Sequence, residues 1–312
     1  MKIRSLALAG VFVLSVAAMQ AATVTENFST DPSADGWKIF GNTSLFHWNS
    51  TNQNLEVTWD SSQTNSYFYL PLGNILTTND DFSVGFDLQL TDVPVENGFE
   101  LAIGLLNFQS ATSTNFFRGS GYESPNLAEF DYFPDFFSPS LTAVDRAGTF
   151  NFFFDSVALD NGTVYRIEFS HAASSAFLTG QILTNGVVYG TFPTPFVSTN
   201  FGDYRLDIFS ISSYSGVHGY GSSILAHGIV DNFTITLPPP PVQNLTGNFS
   251  GGQWQAQFLS RSNWLYSLEH TADFQNWSLV TNGFSGNGTN LVITDALPPL
   301  DKSFYRIRAE RP

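Results

Sequence analysis

The sequence predicts an all-β chain of two unequal parts, and three observations carry that prediction. Apolar residues alternate with polar or small ones, as in Phe82-Ser-Val84-Gly-Phe86-Asp-Leu88-Gln-Leu90, the period of a half-buried strand. No window shows the three-and-four-residue stripe of a helix bounded by caps. Four consecutive prolines, Pro238 to Pro241, divide the chain, and its acidity changes abruptly across them.

Residues 1–22 read as a secretory signal. Lys2 and Arg4 supply the positive start, Leu6 to Val16 an apolar run, and Ala17, Ala18, Ala21 and Ala22 the small residues of a cleavage zone. The run falls short of the ~20 apolar residues that cross a bilayer. No later stretch does better, so the mature chain is expected to be exported, soluble and not inserted in a membrane. It would be secreted or held at the cell surface.

Residues 23–237 form the larger predicted domain. Besides Phe82 to Leu90, alternation marks Phe99 to Phe108 and Tyr165 to Phe169, and Gly228 to Leu237 reads as a closing strand. Asn185-Gly186 falls between Gln181–Thr184 and Val187–Tyr189, the spacing of a tight hairpin. Residues 238–242 are expected to be a stiff, extended spacer, because proline fixes its backbone and donates no hydrogen bond. Residues 243–312 then read as a small β domain of five strands: Trp254–Leu259, Leu265–His270, Trp277–Thr281, Leu291–Thr294 and Phe304–Ala309.

Charge narrows the function. Without Lys2 and Arg4 the chain carries a net charge of −17. The larger domain holds 5 basic and 22 acidic residues, against 5 and 5 in the smaller one. Nucleic acid and anionic membrane surfaces need a basic footprint, so neither is an expected partner. Cations and neutral polymers stay open, as does a purely solubilising role for the acids. With no cysteine among 312 residues, disulfides, thiol catalysis and cysteine metal sites are excluded.

Several motifs look like concanavalin A-like lectin/glucanase jelly rolls. They are the strand VYRIEFS at Val164–Ser170, the Asn185-Gly186 hairpin and the strand Val230-Asp-Asn-Phe233. The opening, from Glu26-Asn-Phe28 through Gly36-Trp37 to Leu55–Trp59, resembles exported bacterial members of that group. The resemblance spans roughly residues 24–237 and implies a jelly-roll β-sandwich and a glycan partner. Tyr266–His270, Phe274-Gln-Asn-Trp277 and Phe304–Ile307 resemble a small β domain at the C-termini of secreted bacterial proteins, which implies an accessory role.

Glu129-Phe-Asp131-Tyr-Phe133-Pro-Asp135 is the strongest candidate site. On a strand, Glu129 and Asp131 share a face about 6.6 Å apart. Pro134 is expected to end the strand, leaving Asp135 in the following loop. Two carboxylates on one face and a third in a loop form a cage for a hard cation such as calcium. The run is similar to the metal loop of legume-type lectins, with Glu129 and Asp131 matching the carboxylates and Asp135 the loop asparagine. Ser140 stands where those lectins place a further aspartate, and the nearest downstream histidine is His171. A single calcium is therefore expected, with Asp145 as the nearest spare carboxylate.

The run also resembles the Glu-x-Asp-x-x-Glu signature of laminarinase-type glycosidases. Pro134 occupies the place of the second glutamate, so hydrolysis is the lesser expectation. The competing view makes Glu129 and Asp131 a solvated acidic face. Trp37, Trp48, Trp59, Tyr67, Tyr69 and Tyr122 are candidates to stack on sugar rings, yet among 48 aromatics most must form core. The five histidines lack zinc spacing, and no Gly-x-Ser-x-Gly elbow is present. A secreted, non-catalytic, lectin-like protein is the leading expectation. A polysaccharide-cleaving enzyme and an adhesive surface protein are its rivals.

Export leads to a direct test. N-terminal sequencing of extracellular material should begin at Ala22 or Thr23, and an intact Met1 in a cytoplasmic fraction would refute the signal.

Overall fold

The computed structural model describes residues 21–92, 101–114, 116, 124–133, 138–155, 157–173, 175, 177–192, 201–215, 225–299 and 303–312. The chain begins with β1 (Ala22–Glu26), β2 (Lys38–Phe40), β3 (Phe46–Asn49), β4 (Asn54–Asp60), β5 (Ser66–Leu76), β6 (Phe82–Asp92) and β7 (Leu101–Leu106). A one-turn helix, α1 (Phe108–Ala111), precedes β8 (Leu127–Phe133), β9 (Ser138–Val144) and β10 (Phe150–Phe154). Then come β11 (Val164–His171), β12 (Leu178–Thr184), β13 (Val187–Phe192), β14 (Leu206–Ser213) and β15 (Leu225–Leu237). The last six are β16 (Val242–Ser250), β17 (Gln253–Ser260), β18 (Leu265–Thr271), β19 (Ser278–Ser285), β20 (Asn290–Asp295) and β21 (Phe304–Glu310).

These strands build the expected all-β jelly-roll sandwich and a small β-sandwich after it. One large sheet runs β13-β12-β11-β6-β15-β4-β3, with β1 also paired to β15; the other runs β10-β9-β8-β7-β14-β5-β2. All neighbouring strands are antiparallel. Alternation explains the layering. Leu55, Val57 and Trp59 of β4, and Tyr165, Ile167 and Phe169 of β11, point inward while their neighbours are less buried. Phe82, Val84, Phe86, Leu88 and Leu90 do the same on β6. Each such side chain contributes about 1.5–3 kcal/mol on full burial.

An aromatic knot closes the core near β1. Trp37 stacks on Phe68 at 4.8 Å and meets Phe28, Phe209 and Phe233. Its indole N–H donates to the buried Glu26 carboxylate at 3.0 Å, and that carboxylate also accepts the Phe28 amide at 2.7 Å. Thus the opening motif that carried the resemblance is part of the core.

Local departures from expectation have local causes. The strand expected to reach Phe108 ends at Leu106, because the Asn107 side chain accepts the Ser110 amide and starts α1. Phe99 lies outside the described residues. Asn185 and Gly186 turn the β12–β13 hairpin with φ of 51° and 74°, the left-handed pair that such two-residue loops require. In the small domain a sixth strand, β16, joins the expected five and begins at Val242, the last residue assigned to the spacer. It is exposed for most of its length and so carries little alternation in the sequence. Trp277 lies just before β19 rather than in it.

The proline run is held by its carbonyls, the one polar group each proline retains. Pro238 accepts from Asn74 at 3.4 Å, Pro239 from Arg261 at 2.8 Å and Pro241 from the Tyr266 hydroxyl at 2.6 Å. Beside them, the fully buried Asp80 of the large sandwich accepts from Arg261 and from Arg311, both at 2.6 Å. The Thr77 amide and hydroxyl complete its shell at 2.9 and 3.0 Å. Removing one partner from a buried ion pair strands the other charges, at a cost of about 3–5 kcal/mol. Asp80→Ala in the full chain should therefore lower the unfolding free energy by that order, read as a lower denaturant midpoint. An unchanged midpoint would show that the two arginines do not join the domains energetically.

Candidate functional site

Glu129 and Asp131 lie on β8, and period two places them on one face, as their spacing predicted. That face is the outer one of the seven-stranded sheet, since Ala128, Phe130 and Tyr132 between and beside them enter the core. Cross-strand pairing sets each acid in a row. Glu129 aligns with Thr142 on β9, Gly104 on β7, Ser210 on β14, Tyr69 on β5 and Lys38 on β2. Asp131 aligns with Ser140, Ala102, Ser212, Tyr67 and Phe40. Gly104 is the residue its place demands, because a Cβ there would sit 2.4 Å from the Glu129 Cα and Cβ.

The two acids are not a solvated face, as the solubilising view required: both are 0% exposed. The strip over them is partly built by the segment after β7. Ala111 and Phe116 pack with Tyr67, Leu127 and Tyr214 in a second apolar cluster on this outer side. The Tyr67 hydroxyl donates to the Ala111 carbonyl at 2.8 Å and ties the strip down. Beneath it hydroxyls answer the acids. Tyr214 donates to Glu129 at 3.0 Å, and Thr142 and Ser140 donate to Asp131.

Carboxylates and hydroxyls make an all-oxygen donor set, the chemistry that suits a hard cation such as calcium. Asp135, the third expected ligand, lies outside the described residues. Among the described residues no group of three or more His, Cys, Asp and Glu side chains is placed to hold a metal ion. Asp145 is not spare. Its carboxylate accepts the amides of Ala147 and Thr149 at 2.8 Å and of Gly202 at 2.6 Å. Burial works to raise its pKa, but these amide bonds outweigh it and bring the value below the usual carboxylate range. His171 is also structural, its ring nitrogens 2.9 and 3.2 Å from the Asp80 and Ser175 carbonyls.

The sugar-stacking candidates divide clearly. Trp37, Trp59 and Tyr67 are buried, Trp48 packs against the core and Tyr122 lies outside the described residues. Tyr69 is half-buried and lines an open cleft. Its ring lies 4.8 Å from that of Phe108, and Phe40 meets Phe108 edge-on at 6.0 Å. The cleft, of 520 Å³, runs between this aromatic edge and the small domain, where Pro241, Trp264 and Ala309 face it. Asp207 at its border accepts the Phe108 amide at 2.7 Å and an Asn107 amide hydrogen at 3.3 Å. Burial raises the Asp207 pKa against the effect of the Phe108 bond. Of these residues only Tyr69 is a candidate from the sequence; Lys38, Phe108, Asp207 and Trp264 share no motif and meet only through the fold.

A second cleft, of 490 Å³, lies on the outer face of the eight-stranded sheet, lined by Arg166, Glu168, Ser170, Thr179, Gln181 and other small polar residues. Its charges are engaged with one another. Arg166 lies 3.4 Å from both Asp87 and Glu168 and donates to the Asn232 carbonyl at 2.6 Å.

No family model matches the chain, and no curated protein is similar to it. Among solved structures it is similar to the carbohydrate recognition domain of Emp47p, with 9% identity over 72% of this chain and 99% of that one (TM-score 0.44). It is similar to peanut lectin, with 15% identity over 70% and 99% (TM-score 0.41). The endo-1,3-beta-glucanase of Streptomyces sioyaensis shares 13% over 70% and 97% (TM-score 0.41). The three include binding proteins and an enzyme.

The close approach at Gly104 gives a test of the buried rows. Gly104→Ala should destabilise the chain by about 1–3 kcal/mol, as overpacking does, because the obstruction is partly backbone. A chemical denaturation curve superimposable on that of the unmutated protein would show that the sheet yields there without cost.

Proposed function

We propose that this is a non-catalytic, lectin-like carbohydrate-binding protein that takes its glycan at the aromatic edge of the seven-stranded sheet. One observation carries the reading: Tyr69 and Phe108 form a paired aromatic surface in an open cleft. Aromatic faces accept the C–H faces of sugar rings while polar groups around them fix the hydroxyls, the usual build of a small-ligand site. Phe40 is 38% exposed and extends that surface along the edge. The acidity of the large domain favours a neutral glycan over a polyanion.

Glu129 and Asp131 serve binding indirectly in this reading. They are sequestered under the strip that carries Phe108, so they brace the surface on which sugar would lie. Calcium held by Glu129, Asp131 and Asp135 would neutralise mutual repulsion there and stiffen the same strip. Hydrolysis would instead require a glycan to reach carboxylates that are wholly covered.

A glycan array with the full mature chain, run with calcium and with chelator, tests both parts. Saturable binding without release of reducing sugar is expected. Turnover abolished by Glu129→Gln would move the protein to the enzymes, and an array without any binding would end the carbohydrate reading. Calcium at about a hundredfold above Kd should add about 2.7 kcal/mol of stability. The melting temperature should rise accordingly, and Asp131→Asn should remove most of the rise. Identical melting with calcium and chelator would remove the cation from the scheme.

A further inference from the structure

Phe274 departs from the ordinary in both backbone and burial. Its φ is 61°, a region that bulky side chains rarely enter, and its ring is 60% exposed. Neighbouring side chains impose that conformation. The Asp273 carboxylate accepts the Gln275 and Asn276 amides, both at 2.8 Å. The Thr271 hydroxyl oxygen accepts the Asp273 and Phe274 amides at 3.2 and 3.1 Å. These bonds, the Asn276 amide foremost, hold the Asp273 acid well below the usual carboxylate range. Backbone strain persists only where its surroundings enforce it, and it gathers where a surface is used.

The ring heads a row of flat groups on the outer face of the small domain. On β21, Tyr305, Ile307 and Ala309 pack against the core, so Phe304, Arg306 and Arg308 face outward. Phe274 lies on Phe304 with centroids 3.9 Å apart and meets Trp277 at 6.4 Å. The Arg306 guanidinium lies over the Trp277 ring, 4.0 Å from its centroid. Glu269, buried on the same outer face, fixes that guanidinium at 2.6 Å and also pairs with Arg308 at 3.5 Å. Phe274, Trp277 and Phe304 all lie outside the apolar cluster that holds the small domain together. The core does not account for them.

We propose that this row is a second glycan site, which binds the ring faces of a neutral polysaccharide. It is separate from the cleft at Tyr69 and does not depend on it. Aromatic rings held in place suit the C–H faces of pyranoses, and the N–H groups of the exposed Arg306 and Arg308 suit their hydroxyls. Charge favours this occupant. Both arginines are paired with acids, Arg308 with Glu310 as well, and the small domain has equal numbers of basic and acidic residues. An anionic polymer or membrane surface would find no basic excess there. A second copy would bring its own acidic sandwich and be repelled. A long glycan that also reached Tyr69 would be held at two points, which raises affinity without a new contact.

Cellulose, curdlan and chitin particles are the probes for the full mature chain, and the retained fraction is measured against protein concentration. Phe274→Gly is the decisive variant, because glycine adopts a positive φ without strain. Retention by at least one particle should weaken about tenfold in this variant while the melting temperature changes little. Trp277→Ala should weaken retention in the same direction. A fall in melting temperature like that from losing a core aromatic would make the Phe274 ring structural and overturn the site. Retention that Tyr69→Ala abolishes and Phe274→Gly leaves intact would assign all binding to the cleft, so this site would fall and the carbohydrate reading would stand. If no particle retains the unmutated chain this site also falls, and the glycan array still judges the cleft. Flotation with phosphatidylcholine vesicles, or a dimer on sizing chromatography, either one lost in Phe274→Gly, would give the surface to a membrane or a second copy instead.

Discussion

The arrangement of this protein depends on one buried carboxylate. Asp80 is fully buried in the large sandwich and accepts from two arginines of the small domain, Arg261 and Arg311. A lone charge could not remain there, since desolvation would exceed any local benefit. Two guanidiniums and the Thr77 donors make it tolerable, and their geometry specifies where the second domain lies. Charge distribution makes the contact possible: an acidic sandwich contributes the anion and a neutral domain contributes the cations.

Much follows from that junction. Arg311 also covers the Trp264 ring, and Arg261 also holds the Pro239 carbonyl, so one cluster sets the spacer and the cleft wall together. Nearby, Asp203 accepts the Thr78 amide and hydroxyl and pairs with Arg205, which in turn donates to the Pro312 carbonyl at 2.9 Å. Burial opposes ionisation of Asp203, but those bonds prevail and lower its pKa. Polar contacts thus continue along the seam on both sides of the proline run.

A second constraint shapes the sandwich itself. Period-two alternation makes two faces of every strand, and the seven-stranded sheet has both of them covered at its centre. The inner face is apolar. The outer one carries Glu129, Asp131, Ser210, Ser212 and Thr142, all buried and matched with hydroxyl donors or acceptors. Only the edge of that face reaches solvent, which is why Tyr69 and Phe40 differ so much from Tyr67 in the same sheet. A buried polar layer of this kind is costly unless satisfied.

The all-β class, the Asn185-Gly186 hairpin and the shared face of Glu129 and Asp131 are legible in the amino-acid sequence. Each of these is local, written in alternation, turn chemistry or spacing within a few residues. Only the fold buries the two acids, because their cover includes Ala111, Phe116 and Tyr214 from separate segments. The fold likewise engages Asp145, through the distant Gly202 amide. The cleft was equally illegible. Lys38, Tyr69, Phe108 and Trp264 belong to four separate segments, and no short-range pattern records that antiparallel pairing and an Asp80–arginine cluster bring them together.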